Sequence, residues 1–71
     1  MAYGRPLTAS EWKKVVNELN HNRIAHLPDG SGDKIIPWVG THGTTYELRS
    51  GNGNSLMTTW DLDRIKKIVL Q

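Results

Sequence analysis

The chain has 71 residues, a formal net charge of +2 and no cysteine. A chain of this length forms one small domain, here residues 1–71, with a small core, and without cysteine it holds neither disulfides nor thiolate metal sites. A charge of +2 is too low for nucleic-acid binding through charge alone. No segment approaches the roughly 20 apolar residues that cross a bilayer, and the N-terminus lacks the apolar run of a signal peptide. We therefore expect a cytoplasmic protein that does not bind membranes.

The first helix follows a leader, residues 1–7, for which the sequence leaves a flexible and an ordered state open. Thr8 and Glu11 form the pattern Thr-x-x-Glu, which is typical of a capping box, in which each side chain accepts the other residue's backbone N–H. Apolar residues then recur at the spacing of one helix face. They are Trp12, Val15, Val16 and Leu19.

The middle of the chain is predicted to form strands, because six of the seven glycines lie between positions 30 and 53. Pro37 cannot donate a hydrogen bond to a neighbouring strand, so its segment is expected at an edge or a bulge. If Arg49 pairs with Ser55 across the second hairpin, Leu48 lies opposite Leu56 on the buried face. The predicted strands are 23–27, 34–39, 44–49 and a segment from Ser55 onward.

The last helix is predicted to begin after Thr58 or Thr59, either of which is a suitable N-cap. Asp61 and Asp63 then lie in its first turn, where negative charge is favourable. The expected fold is α+β, with an antiparallel sheet of three or four strands and both helices covering one face. The expected core consists of Trp12, Val15, Val16, Leu19, Ile24, Ile35, Tyr46, Leu48, Leu56, Leu62, Ile65, Ile68 and Val69, with much of the apolar area supplied by the three tryptophans.

Metal and cofactor sites are not expected. Of the three histidines His21, His26 and His42, the spacing from His21 to His26 matches no zinc motif, and no carboxylate lies beside either residue in sequence. The segment from Asp29 to Asp33 resembles the start of a calcium loop, but loop position 12, where a bidentate glutamate is needed, is Gly40. Turn chemistry explains this segment better.

The triplet Gly40-Thr41-His42 permits one catalytic hypothesis. With a capped first helix, a strand after the triplet and a terminal helix, the chain resembles the HicA-type mRNA interferase toxins, small α-β-β-β-α domains with a Gly-Ser-His step before a strand. The resemblance implies that His42 is a general acid or base acting on a ribose 2′-hydroxyl, and that Arg49 holds the phosphate. The alternative is that His42 is an ordinary turn residue between glycines.

Our leading hypothesis is a non-catalytic binding module that docks on a macromolecular partner, with protein favoured over nucleic acid. Stand-alone domains of this size often act as regulators or inhibitors, including those of phages and mobile elements, and a homodimer is a further alternative. Trp38, which shares a strand with Pro37, is the tryptophan most expected to be exposed for contact. If both helices pack on one face of the sheet, the paired lysines on them can form a joint positive patch; the alternative is that these lysines only keep a small protein soluble. The candidate binding residues are Lys13, Lys14, Trp38, His42, Arg49, Lys66 and Lys67.

Overall fold

A computed structural model of the chain describes residues 5–70 and confirms the α+β class. Four antiparallel strands form one sheet in the order β1-β2-β3-β4, with one helix before the sheet in the chain and one after it. No helix within residues 5–70 is long and apolar enough to span a membrane. The elements are α1 (Ala9–Asn20), β1 (Ala25–His26), β2 (Lys34–Gly40), β3 (Gly43–Arg49), β4 (Ser55–Thr59) and α2 (Leu62–Val69).

Helix α1 begins with the predicted capping box. The Thr8 side chain accepts the backbone N–H of Glu11 at 3.1 Å, and the Glu11 carboxylate accepts the N–H of Thr8 at 3.0 Å. Arg5 forms two hydrogen bonds to the same carboxylate, at 2.7 and 2.6 Å. The part of the leader that the structure describes is also fixed at Leu7, which is buried and donates its N–H to Val69 at 2.7 Å; residues 1–4 of the leader lie outside the described residues.

Helix α2 begins later than predicted, and its N-cap is Asp61, whose side chain accepts the N–H of Asp63 at 3.0 Å. The expected caps Thr58 and Thr59 are wrong because both residues continue strand β4. Thr59 is buried and its hydroxyl accepts the N–H of Asp61 at 3.0 Å, so it stabilises the turn into the helix instead of capping it.

The register of the second hairpin is confirmed at one pair and wrong at the next. Arg49 pairs with Ser55 as expected, but Leu48 pairs with Met57 and not with Leu56. A β-bulge places Leu56 as an extra residue between these two pairs, and an extra residue reverses the alternation of faces beyond it. Leu56 is therefore exposed, and Met57 packs against the core.

The core lies between the two helices and one face of the sheet, hereafter the inner face. Its centre is formed by Ile35 on β2, Leu48 on β3 and Ile65 on α2, all fully buried. Most expected core residues are buried or pack against it, but Ile24 and Leu56 are exposed. Of the three tryptophans expected to supply much of the apolar area, only Trp12 is buried. Trp60 is exposed, and Trp38 is exposed as expected.

Two loops at one end of the sheet are joined by Asp33, which precedes β2 and is 1% exposed. Its Oδ1 atom accepts the backbone N–H of Gly51, in the β3–β4 turn, at 3.0 Å. The loops lie so close that a Cβ on Gly51 would be 2.9 Å from the carbonyl oxygen of Ser31. This contact fixes the end of the sheet opposite the β2–β3 hairpin.

Candidate functional site

The candidate site is the second face of the sheet, which neither helix covers. Side chains alternate along a strand. The residues on either side of the inward-facing Ile35 and Pro37 on β2, and on either side of Leu48 on β3, therefore point away from the helices. This surface, hereafter the outer face, includes His26, Lys34, Ile36, Trp38, Thr45, Glu47, Arg49 and Thr58.

Two exposed indoles lie at the hairpin end of the outer face. Trp38 pairs with Thr45 of β3 and is 54% exposed. Trp60 follows the last residue of β4 and is 65% exposed; its Cζ3 atom lies 3.6 Å from the position that a Cβ on Gly43 would take. Because Gly43 shares the face of Thr45 by strand alternation, the two tryptophans lie on the same face, on either side of β3. Exposed tryptophan in a pair is rare on a surface that only meets water.

Glu47 lies at the centre of the outer face and is 7% exposed. Its Oε1 atom accepts the indole N–H of Trp38 at 3.0 Å and the guanidinium of Arg49 at 3.0 Å. Hydrogen bonds from the Ser55 hydroxyl first, then from Trp38, with Arg49 contributing less, hold the pKa of Glu47 below its ordinary value. The carboxylate therefore fixes Trp38 and Arg49 in place, and its own charge is compensated.

A basic row crosses the outer face at the end opposite the tryptophans. His26 pairs with Lys34, and Lys34 pairs with Arg49, so the three side chains are cross-strand neighbours. Arg49 is already bonded to Glu47, and its Nε atom is buried with no acceptor within residues 5–70. The outer face thus carries aromatic groups at one end and positive groups at the other.

The paired lysines of the two helices line different hollows. Lys13 and Lys14 lie beside β1, in a groove between this strand and α1. Lys66 and Lys67 line a shallow surface on α2 together with Asp61 and Asp63. The two carboxylates offset the positive charge of the two lysines on this surface. The structure thus does not bring the four lysines into one hollow.

His42 lies at the tip of the β2–β3 hairpin, in the two-residue turn Thr41-His42 between the paired glycines Gly40 and Gly43. It is exposed and makes no side-chain hydrogen bond within residues 5–70. An acid–base histidine is usually oriented by a second polar group. The hypothesis of a ribonuclease stays a prediction, and this geometry supplies no partner for it.

Sequence reasoning selected Trp38 and Arg49 on this surface but missed Trp60 and Glu47. The sequence predicts Trp60 at the start of the last helix, because no local signal marks the end of β4 at Thr59. Glu47 was seen only as the polar side of an alternating strand, and nothing local to it indicates burial. The signal available was the cross-strand position of Glu47, diagonal to Trp38, in the sheet register.

Comparisons with protein families, with curated proteins and with solved structures each find no match to this chain.

Proposed function

We propose that the protein is a non-catalytic binding module of the cytoplasm that regulates or inhibits a protein partner by docking its outer face on it. The observation that carries the proposal is the helix-free sheet face with two exposed tryptophans, Trp38 and Trp60. Tryptophan and arginine dominate the binding energy of protein interfaces, especially where neighbouring groups hold them in one orientation. The bonds from Trp38 and Arg49 to Glu47 provide that orientation before binding.

Protein is favoured over nucleic acid as the partner because a formal net charge of +2 is low for phosphate binding. The exposed Asp61 also follows Trp60 directly. A strand of phosphates running over both indoles would pass this carboxylate, whereas a protein surface can present positive or polar groups to it.

Capture experiments with matched variants test this proposal. Tagged protein is incubated with a nuclease-treated lysate of the source cells, and the wild type is compared with Trp38→Ala, Trp60→Ala and Val39→Ala. Val39 is also an exposed apolar residue of β2 but alternates to the other face, so it controls for general loss of apolar surface. We expect each tryptophan variant to weaken capture of the same protein at least about tenfold, and Val39→Ala to leave it unchanged.

Three results would count against the proposal. If both tryptophan variants capture the partner as well as the wild type, the outer face is not the interface. Tight binding of generic single-stranded RNA or DNA, falling steeply with salt, would assign the face to nucleic acid. A concentration-dependent dimer that Trp60→Ala dissociates, seen by sedimentation, would identify a second copy of the chain as the occupant.

A further inference from the structure

A second surface of the molecule, which shares only His26 with the outer face, is the groove between α1 and the edge strand β1. It has a volume of about 630 Å³ and is lined by Lys13, Lys14 and Asn17 of the helix and by Ile24, Ala25 and His26 of the edge segment. In the sheet order β1 is a terminal strand, so no other strand within residues 5–70 lies on its far side.

The backbone of this edge is available for pairing. The N–H of Leu27 donates to the carbonyl of Asp33 at 2.9 Å, on the side of β2. Because the N–H and C=O groups of successive residues in a strand point to opposite sides, those of Ile24 and His26 point away from β2, into the groove. Two residues with outward N–H and C=O groups offer up to four hydrogen bonds to an added strand.

The other edges of the sheet are less suited to an added strand. Beyond the two residues paired with β1, strand β2 contains Pro37, which has no N–H. Strand β4 contains the bulge at Leu56, and bulges interrupt the pairing of an edge. The hollow beside Lys66 and Lys67 is lined by residues of α2 and its two ends, with no strand residue.

The charge of the groove selects the partner. The two glutamates that line it are each paired with an arginine: Glu11 with Arg5 at 2.6 Å and Glu18 with Arg23 at 3.5 Å. Lys13 and Lys14 are exposed and make no ion pair within residues 5–70. The groove therefore presents uncompensated positive charge beside unpaired backbone groups and one exposed apolar side chain, Ile24, which is 48% exposed.

We propose that the groove between α1 and β1 binds an extended acidic peptide segment, which adds to β1 as a fifth strand and places carboxylates against Lys13 and Lys14. Main-chain hydrogen bonds to Ile24 and His26 supply affinity, as in other cases of strand addition to a sheet edge, and the lysines select acidic sequences. This inference goes beyond the docking of the outer face and does not depend on it.

The probe is a blocked peptide of about eight residues in which glutamate alternates with valine, a typical strand length and pattern. The same peptide with lysine in place of glutamate is the charge control. The full chain is compared with the double variant Lys13→Glu/Lys14→Glu and with Lys66→Glu/Lys67→Glu, which makes the same change of charge on α2. Binding is measured by titration at low salt, and amide hydrogen exchange is followed by NMR.

We expect the acidic peptide to bind and the basic peptide not to bind. Reversal of Lys13 and Lys14 is expected to weaken binding at least about tenfold, and reversal of Lys66 and Lys67 less than about threefold. In the complex, exchange of the Ile24 and His26 amides is expected to slow at least about tenfold, because a strand partner protects them and charge attraction alone does not. Neither Trp38 nor Trp60 lines the groove, so Trp38→Ala and Trp60→Ala are expected to leave peptide binding unchanged. Failure of one proposal can therefore be distinguished from failure of the other.

Several outcomes would overturn the proposal. One is the absence of binding at about 1 mM peptide, a concentration at which even weak complexes form. Equal weakening by the two double variants, or binding without protection of the Ile24 and His26 amides, would show that the peptide binds by general charge attraction and not as an added strand. Tighter binding by an oligonucleotide than by the acidic peptide would assign the groove to phosphate, and tighter binding by a chain that begins at Arg5 would assign it to residues 1–4.

Discussion

The indole N–H of Trp38 donates a hydrogen bond of 3.0 Å to Oε1 of Glu47, the residue diagonal to it on the neighbouring strand. The bond holds the exposed Trp38 side chain in one orientation. It also satisfies the carboxylate of Glu47, a charged residue that is buried on a sheet face that no helix covers. Since the same oxygen also accepts the Arg49 guanidinium, loss of Glu47 affects two residues of the proposed interface together.

Replacing Glu47 by alanine is expected to destabilise the fold by about 1 to 3 kcal/mol, because the buried parts of Arg49 and the Trp38 N–H lose their acceptor. Glu47→Gln retains a carbonyl oxygen for Trp38 and should cost less. Urea unfolding measures both free energies, and the indole N–H resonance of Trp38 reports the bond directly. A resonance unchanged in Glu47→Ala would show that the bond is absent in solution.

The capping box predicts a dependence of stability on acid. The hydrogen bond from Arg5 first, then that from the Thr8 backbone, lowers the pKa of Glu11 from 4.5 to about 2. A carboxylate with a lowered pKa in the folded state stabilises the fold above its unfolded pKa, and this contribution is lost as the pH falls through the folded value. The contribution of Glu11 is therefore complete above pH 4.5 and lost towards pH 2.

Thermal unfolding of the wild type and of Glu11→Gln between neutral pH and about pH 2 tests this dependence. The midpoint of Glu11→Gln should lie below that of the wild type at pH 7, and the two should converge in acid. Arg5→Ala should reduce the same difference while retaining the Thr8 bonds. A constant separation of the wild type and Glu11→Gln at every pH would contradict the assignment.

The contact between the two loops makes Gly51 sensitive to substitution. A Cβ there would lie 2.9 Å from the backbone oxygen of Ser31, and backbone cannot move aside as a side chain can. Gly51→Ala should therefore cost about 1 to 3 kcal/mol. Gly40→Ala is the matched control, because its Cβ would meet the carbonyl of Gly43 at an ordinary 3.6 Å. Similar unfolding free energies for the two variants would contradict the close approach of the loops.

The α+β class, the order of elements and the first capping box were predictable because each depends on short stretches of sequence: the spacing of apolar residues and the residues that cap a helix. What the sequence did not reveal depends on contacts between strands. The bulge at Leu56 changes which residue faces the core without any mark in composition. The exposure of Trp60 follows from where β4 ends, which is a property of the whole sheet. Assignment of large apolar residues to the core by type fails for Leu56 and Trp60, which are exposed.

The bulge itself is tested by the pair Leu48→Ala and Leu56→Ala. Leu48 is fully buried, so its truncation should cost about 2 to 5 kcal/mol. Leu56 is 42% exposed as the extra residue of the bulge, and its truncation should cost less than about 1 kcal/mol. Chemical denaturation gives both values. If Leu56→Ala is as costly as Leu48→Ala, the register without a bulge, which pairs the two leucines, is the correct one.

The docking and ribonuclease hypotheses make opposite predictions for His42. As an exposed residue of a two-residue turn, its replacement by alanine should change stability by no more than about 0.5 kcal/mol and should leave capture of the protein partner intact. Thr41→Ala, in the same turn, controls for effects of the hairpin.

The ribonuclease hypothesis instead predicts that the wild-type chain is toxic on expression and cleaves RNA, and that His42→Ala alone removes both effects. Because the His42 ring makes no hydrogen bond within residues 5–70 that would orient it for proton transfer, we expect the purified wild type to leave RNA uncut. Cleavage abolished by His42→Ala and retained by Thr41→Ala would replace the docking proposal with a catalytic one.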